Sequence, residues 1–140
     1  MTEPLYTTDV LRLAASLQEP NELERQDGRA EMRSPTCGSR VIVAVQLDSD
    51  RRVQFLSQDV RACAFGQASA ALVERHCKGL AHADVSEALL GVSRWLAQTD
   101  ERYDSWPGLE VLEPARDRKA RHGAILLPFR ALLAALEDAE

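Results

Sequence analysis

Residues 40–60 read as two strands joined by a polar turn, and the rest of the chain is arranged around them. Arg40-Val-Ile-Val-Ala-Val-Gln-Leu47 is rich in β-branched residues, Asp48-Ser-Asp-Arg-Arg52 is polar, and Val53-Gln-Phe-Leu-Ser-Gln-Asp-Val60 resumes the strand pattern. Val41, Val43, Val45 and Leu47 alternate on one face. Continued along the second strand, the same period puts Val53, Phe55 and Ser57 together. A hairpin brings its outer ends together. Cys37 precedes the first strand and Cys63 follows the second. They are 26 residues apart in sequence (63 − 37) and are expected at one end of the sheet.

The flanking segments add helices. Thr8-Asp9 can cap a helix over Val10–Gln18, with Val10, Leu13, Ala14 and Leu17 on one face and Pro20 beyond its end. Gly28–Ser34 reads as an edge strand. From Gly66 the period turns helical, with Ala70, Val73 and Cys77 on one stripe and Gly79 as a stop. Asp84 can cap a third helix, through about residue 98, that carries Val85, Ala88, Leu89, Val92, Trp95 and Leu96. Residues 99–119 are irregular, with Trp106 and Leu109 as anchors. A last helix, about Ala120–Leu136, contains Pro128, so a kink near Ala124–Leu127 or a first turn set off from the rest is expected. The fold class is therefore α+β: a small antiparallel sheet of about three strands, with hairpin 40–60 at its centre, packed against about four helices. Residues 1–140 form one domain.

Composition narrows the function. Net charge is −5, which gives no footing for non-specific nucleic-acid binding. No apolar run approaches the roughly 20 residues of a membrane span, and the first residues lack the basic and apolar regions of a signal peptide. Three cysteines cannot all pair. In a chain read as cytoplasmic, thiols serve as metal ligands, sulfur acceptors or core residues. No phosphate-cradling loop or nucleophile elbow is present.

Two of the three thiols sit where chemistry is favoured. Cys37 lies in Pro35-Thr-Cys-Gly38, where proline stiffens the approach and glycine permits a tight turn. Cys63 lies just before a helix start, a position whose backbone donors and dipole suit a thiolate. Gly66, Ala62, Ala64, Ala68 and Ser69 leave room beside that sulfur, or else allow close helix packing. On the residues alone, each thiol is either a ligand or a small buried side chain. Cys77 is in phase with Val73 and reads as core. His76 reads as a solvated helix residue and His82 as part of a loop or cap.

Ser34-Pro-Thr-Cys-Gly-Ser39 opening a strand, and Arg61-Ala-Cys-Ala-Phe-Gly-Gln-Ala-Ser69 opening a helix that ends at Lys78-Gly79, resemble the U-type iron–sulfur cluster assembly scaffolds. These are the IscU and SufU proteins and the N-terminal domain of NifU, and the likeness runs over roughly residues 5–136. The resemblance implies an IscU/NifU-N-like fold and a non-enzymatic scaffold or carrier. Such a protein receives sulfur and iron, holds a small cluster of the 2Fe–2S kind, and passes it on. It implies a cysteine desulfurase and downstream iron–sulfur carriers or target proteins as partners, with the chain a monomer or weak homo-oligomer.

The chain departs from that family at two positions. Ser39 stands where the family carries an Asp, and in Arg121-His-Gly-Ala124 the family's histidine matches His122 while its third cysteine matches Gly123. The implied site is Cys37, Cys63 and His122, with Ser39 or water completing it. Imidazole is a ligand for zinc and for some clusters. With one thiolate and one carboxylate fewer, a cluster here is expected to be less anionic and easier to reduce. Two other readings follow from the same residues. One is a SufU-like Zn²⁺ protein whose thiolates accept persulfide sulfur, a sulfurtransferase role. The other is a divergent paralogue with a structural or regulatory metal site. The basic run Arg116, Arg118, Lys119 and Arg121 is either a solvated loop or a patch on which a desulfurase docks.

Overall fold

The computed structural model describes residues 6–35 and 38–140. Among these, the order is α1 (Thr8–Ala15), β1 (Gly28–Arg33), β2 (Arg40–Leu47), β3 (Val53–Arg61), α2 (Ala64–His76), α3 (His82–Leu96), a 3₁₀ helix (Leu109–Ala115) and α4 (Lys119–Asp138). The three strands form one antiparallel sheet in the order β1-β2-β3. This is the expected α+β architecture. No helix among the described residues is long and apolar enough to cross a membrane.

The inner face of the sheet carries Val41, Val43, Val45 and Leu47, all buried. α4 covers β1 and β2, α2 packs on β3 and α4, α1 on α2, and α3 on α4. β3 does not continue the simple alternation. The register shifts between Gln46, which faces Phe55, and Leu47, which faces Val53, so Gln54 is an extra residue. Beyond this bulge, Leu56, Gln58 and Val60 oppose Val45, Val43 and Val41. Phe55 is turned outward at 44% exposure, with the Lys78 ammonium 5.1 Å above its ring. The expectation that Phe55 and Ser57 share a face with Val53 is therefore corrected by one inserted residue.

Helix ends follow local chemistry. Thr7, not Thr8 or Asp9, caps α1: its hydroxyl accepts from Val10 N–H at 3.1 Å. The helix ends before the expected Gln18, where the Ser16 hydroxyl donates to the Leu13 carbonyl at 2.6 Å. Asp84 stabilises the start of α3 from inside it, accepting from Ala81 N–H at 2.9 Å. Trp106 is buried and donates its indole N–H to the Leu72 carbonyl at 2.9 Å, which anchors the 99–119 segment on α2 as expected. α4 runs continuously through Pro128, so its first turn is not set off.

α4 approaches its neighbours closely because small residues face it. A Cβ added at Gly28 of β1 would run into the carbonyl oxygen of Ala135. Gly28→Ala should therefore destabilise the fold by about 1–3 kcal/mol, as overpacking does, read as a lower urea midpoint with unchanged slope.

Candidate functional site

One end of the sheet gathers three chain segments. Arg33 pairs with Arg40, and Arg40 pairs with Arg61, so β1 ends, β2 begins and β3 ends side by side. The Ser34 N–H donates to the Ser39 carbonyl at 2.9 Å and closes the loop between β1 and β2. Gly38 in that loop has φ +72°, which glycine adopts without strain. Ser39 is buried at 4% exposure. Cys37 lies outside the described residues.

Two residues past Arg61, Cys63 is the N-cap of α2, with extended backbone (φ −66°, ψ 173°). Its side chain makes no capping bond, and the residue is half-buried, so the sulfur is not consumed by the helix end. The small residues that follow mostly serve packing. Gly66 lies against Ala62 and against Ala124 of α4, Ala68 is fully buried, and Ser69 donates its hydroxyl to the Ile125 carbonyl at 2.6 Å. Ala62 and Ala64 stay half-buried beside Cys63.

Tyr6 joins the site without any sequence signal linking it to Cys63. Its ring packs edge-on against Phe65, the second residue of α2, with centroids 5.0 Å apart, which sets the phenol near Cys63. Burial and the charge on the nearby Cys63 sulfur push the Tyr6 phenol above its ordinary range, while the Arg121 guanidinium pulls the other way. The Tyr6 phenol thus lies within electrostatic reach of both Cys63 and Arg121.

His122 sits in the first turn of α4. Its Nε2 lies 2.8 Å from the Ala115 carbonyl oxygen and 3.1 Å from that of Arg116, at the end of the 3₁₀ helix. Carbonyls only accept, so Nε2 carries the proton, and in the neutral ring the Nδ1 lone pair is left over. Arg116 is committed to contacts within the fold. Its Nε donates to the Trp95 carbonyl at 2.9 Å, its guanidinium pairs with Glu101 at 3.0 Å and stacks 5.1 Å from the Trp95 ring, and its side chain is 12% exposed. The basic run is therefore divided, with Arg118 and Lys119 exposed and Arg121 half-buried, near enough to Tyr6 to act on its phenol. His76 is exposed, and His82 opens α3 with Nε2 3.1 Å from Glu137.

Among the described residues no three His, Cys, Asp or Glu side chains gather into a metal site. Cys77 takes no part. It is fully buried, its Sγ lies 3.8 Å from the Glu74 carbonyl oxygen, and burial pushes its thiol up to about 11.

No protein-family model matches the chain, and no curated protein matches it. Solved structures do. A nitrogen-fixing NifU-like protein (N-terminal) from Brucella abortus is 29% identical, with a TM-score of 0.87 over 96% of this chain and 94% of that one. A putative iron–sulfur cluster assembly scaffold protein for the SUF system from Fervidobacterium islandicum AW-1 is 16% identical, with a TM-score of 0.80 over 94% and 96%. A hypothetical protein is 18% identical, with a TM-score of 0.78 over 95% and 97%. The last two show the fold alone. The likeness extends from the two cysteine segments to nearly the whole chain.

The fold favours the neutral form of Cys77. The stability this contributes is intact below about pH 9 and is lost as pH rises through about 11. Cys77→Ala should remove about 2–3 kcal/mol of pH dependence between those limits, measured by urea unfolding at each pH. A wild-type curve as flat as that of the variant would contradict the buried thiol.

Proposed function

We propose that this chain, which has the fold of the U-type scaffolds, is an iron–sulfur cluster assembly scaffold or carrier. It receives sulfur from a cysteine desulfurase, receives iron, assembles a small cluster of the 2Fe–2S kind on Cys37 and Cys63, and hands it to downstream carriers or targets. The observation that carries this reading is the Cys63 thiol. It is half-buried, unspent on capping, and placed at the sheet end onto which the 34–39 loop closes. A cluster needs such a thiol, held by rigid elements yet reachable. The role is binding and transfer rather than turnover.

His122 is the third ligand in this reading, through Nδ1. A metal-bound imidazole commonly donates its other N–H to a carbonyl, which fixes the tautomer and the ring, and the Nε2 contacts with Ala115 and Arg116 have that form. Ser39, a weaker ligand, is the fourth candidate. The same contacts favour a second reading. Two thiolates, an imidazole and an open position suit Zn²⁺, which would make the chain a zinc-bound sulfur acceptor for the desulfurase.

Elemental analysis of anaerobically purified protein, with visible spectra before and after addition of iron and sulfide, separates the readings. The scaffold predicts iron, sulfide and charge-transfer bands that Cys37→Ala and Cys63→Ala each abolish and Cys77→Ala leaves intact. About one zinc per chain and no cluster bands would establish the acceptor instead. Cluster retention in both Cys37→Ala and Cys63→Ala would contradict the scaffold.

A further inference from the structure

The geometry points to an interaction surface that no known property of the chain accounts for: the outer-face row Arg33–Arg40–Arg61 is a docking strip for an acidic segment of a partner protein, placed so that the partner arrives at Cys63. The partner in question is one that exchanges cargo with that thiol, so the inference rests on the function proposed above.

Direct pairing puts the three arginines opposite one another across all three strands. Val41, between them in sequence and core, marks the inner face, so Arg40 and its partners lie on the outer one. Neighbouring Cβ atoms in such a row are about 4.5–5.5 Å apart, and like charges directly opposite destabilise a sheet. Arg33 is relieved by Glu31, 3.1 Å away. Among the described residues, neither Arg40 nor Arg61 has an ion pair or side-chain hydrogen bond. The fold therefore leaves two of the three guanidiniums without a direct counter-ion, the nearest carboxylates on that face standing in the next row, at Glu31 and Asp59.

The surroundings decide which anion fits. The next row on the same face is Glu31–Ile42–Asp59, and the one after it Arg29–Ala44–Ser57. Along a strand these rows are roughly 7 Å apart. A nucleic-acid backbone laid on the arginines would bring phosphates against Glu31 and Asp59, and the chain's net charge of −5 opposes any long polyanion. A small anion would need converging donors, whereas the three arginines stand in a single row across the strands. A polypeptide with a few carboxylates beside neutral residues meets all three rows. Guanidinium forks bind carboxylates in two-point fashion, which gives register as well as attraction. Beyond the rows, an open groove of about 400 Å³ lined by Pro20–Leu23, Arg29, Ile42, Ala44 and Asp59 adjoins the strip, with Glu22 and Asp59 favouring neutral residues of the segment there.

Position gives the strip its purpose. Arg33 and Arg40 bracket the 34–39 loop, and Arg61 is two residues from Cys63. A partner held here is oriented toward the thiol before any cargo moves, and rim charges of this kind act mainly on encounter rate and register.

The test uses the metal-free full chain, so it succeeds or fails independently of the cluster assay. A hexaglutamate peptide is titrated into the ¹⁵N-labelled protein at low salt, with a single-stranded oligonucleotide as the second probe. The expected result is peptide-induced shifts concentrated in residues 31–33, 40–42 and 59–61, weakened about tenfold or more in Arg40→Gln/Arg61→Gln and unchanged when Arg94 and Arg130, exposed on α3 and α4, are replaced in Arg94→Gln/Arg130→Gln. Arg40→Gln alone should raise Tm by about 1–4 °C, because it relieves the row. Shifts spread over other faces, equal weakening in the Arg94/Arg130 control, an oligonucleotide that binds the row as well as the peptide does, or a lowered Tm in Arg40→Gln would each overturn the inference.

Discussion

The pairing of Arg40 with Arg61 in the central hairpin is the contact on which the functional end of the molecule depends. It ends β3 beside the start of β2, and the Arg33–Arg40 pair brings β1 into the same line. Two connections then leave the sheet at one end: the short 34–39 loop, closed by the Ser34–Ser39 backbone bond, and the turn that delivers Cys63 to the start of α2. A slip of one residue in this register would turn Val41, Val43 and Val45 to solvent, so burial of the sheet face and placement of the thiol are enforced together.

α4 completes the arrangement from the other side. Its buried residues Ile125, Leu127, Phe129 and Leu132 supply much of the core, while small neighbours let it sit close to β1 and α2. The first turn of α4 is thereby held next to the start of α2. Arg121 acts there on the charge of the Tyr6 phenol, and His122 binds back to the 3₁₀ helix. Rigid packing behind, with an uncommitted thiol in front, is what a site for a transient inorganic cargo requires.

Much of this was legible in the sequence because it rests on periodicity. The valines of β2 alternate strictly, Cys77 keeps phase with Val73, and Trp106 is too large and apolar to leave a loop free. The misses have physical causes. The extra residue at Gln54 is a bulge that composition does not announce, and it reversed the face of Phe55. Arg116 looked like one more surface charge until the Trp95 carbonyl and Glu101 claimed it. Tyr6 and Cys63 are 57 residues apart (63 − 6), and only the packing of α1 on α2 brings the phenol to the sulfur. The small residues after Cys63 had two readings, room for cargo or close packing, and for Gly66, Ala68 and Ser69 the contacts are those of packing.

The central claim is that Cys63 and Cys37 together hold metal at the open end of the sheet. X-ray absorption at the edge of whichever metal purifies with the chain tests it most directly, because it reads the atoms bound to that metal. The account predicts sulfur neighbours, at about 2.3 Å if the metal is zinc, with a further imidazole nitrogen that disappears in His122→Ala while the sulfur remains. A first shell of oxygen and nitrogen alone would contradict it.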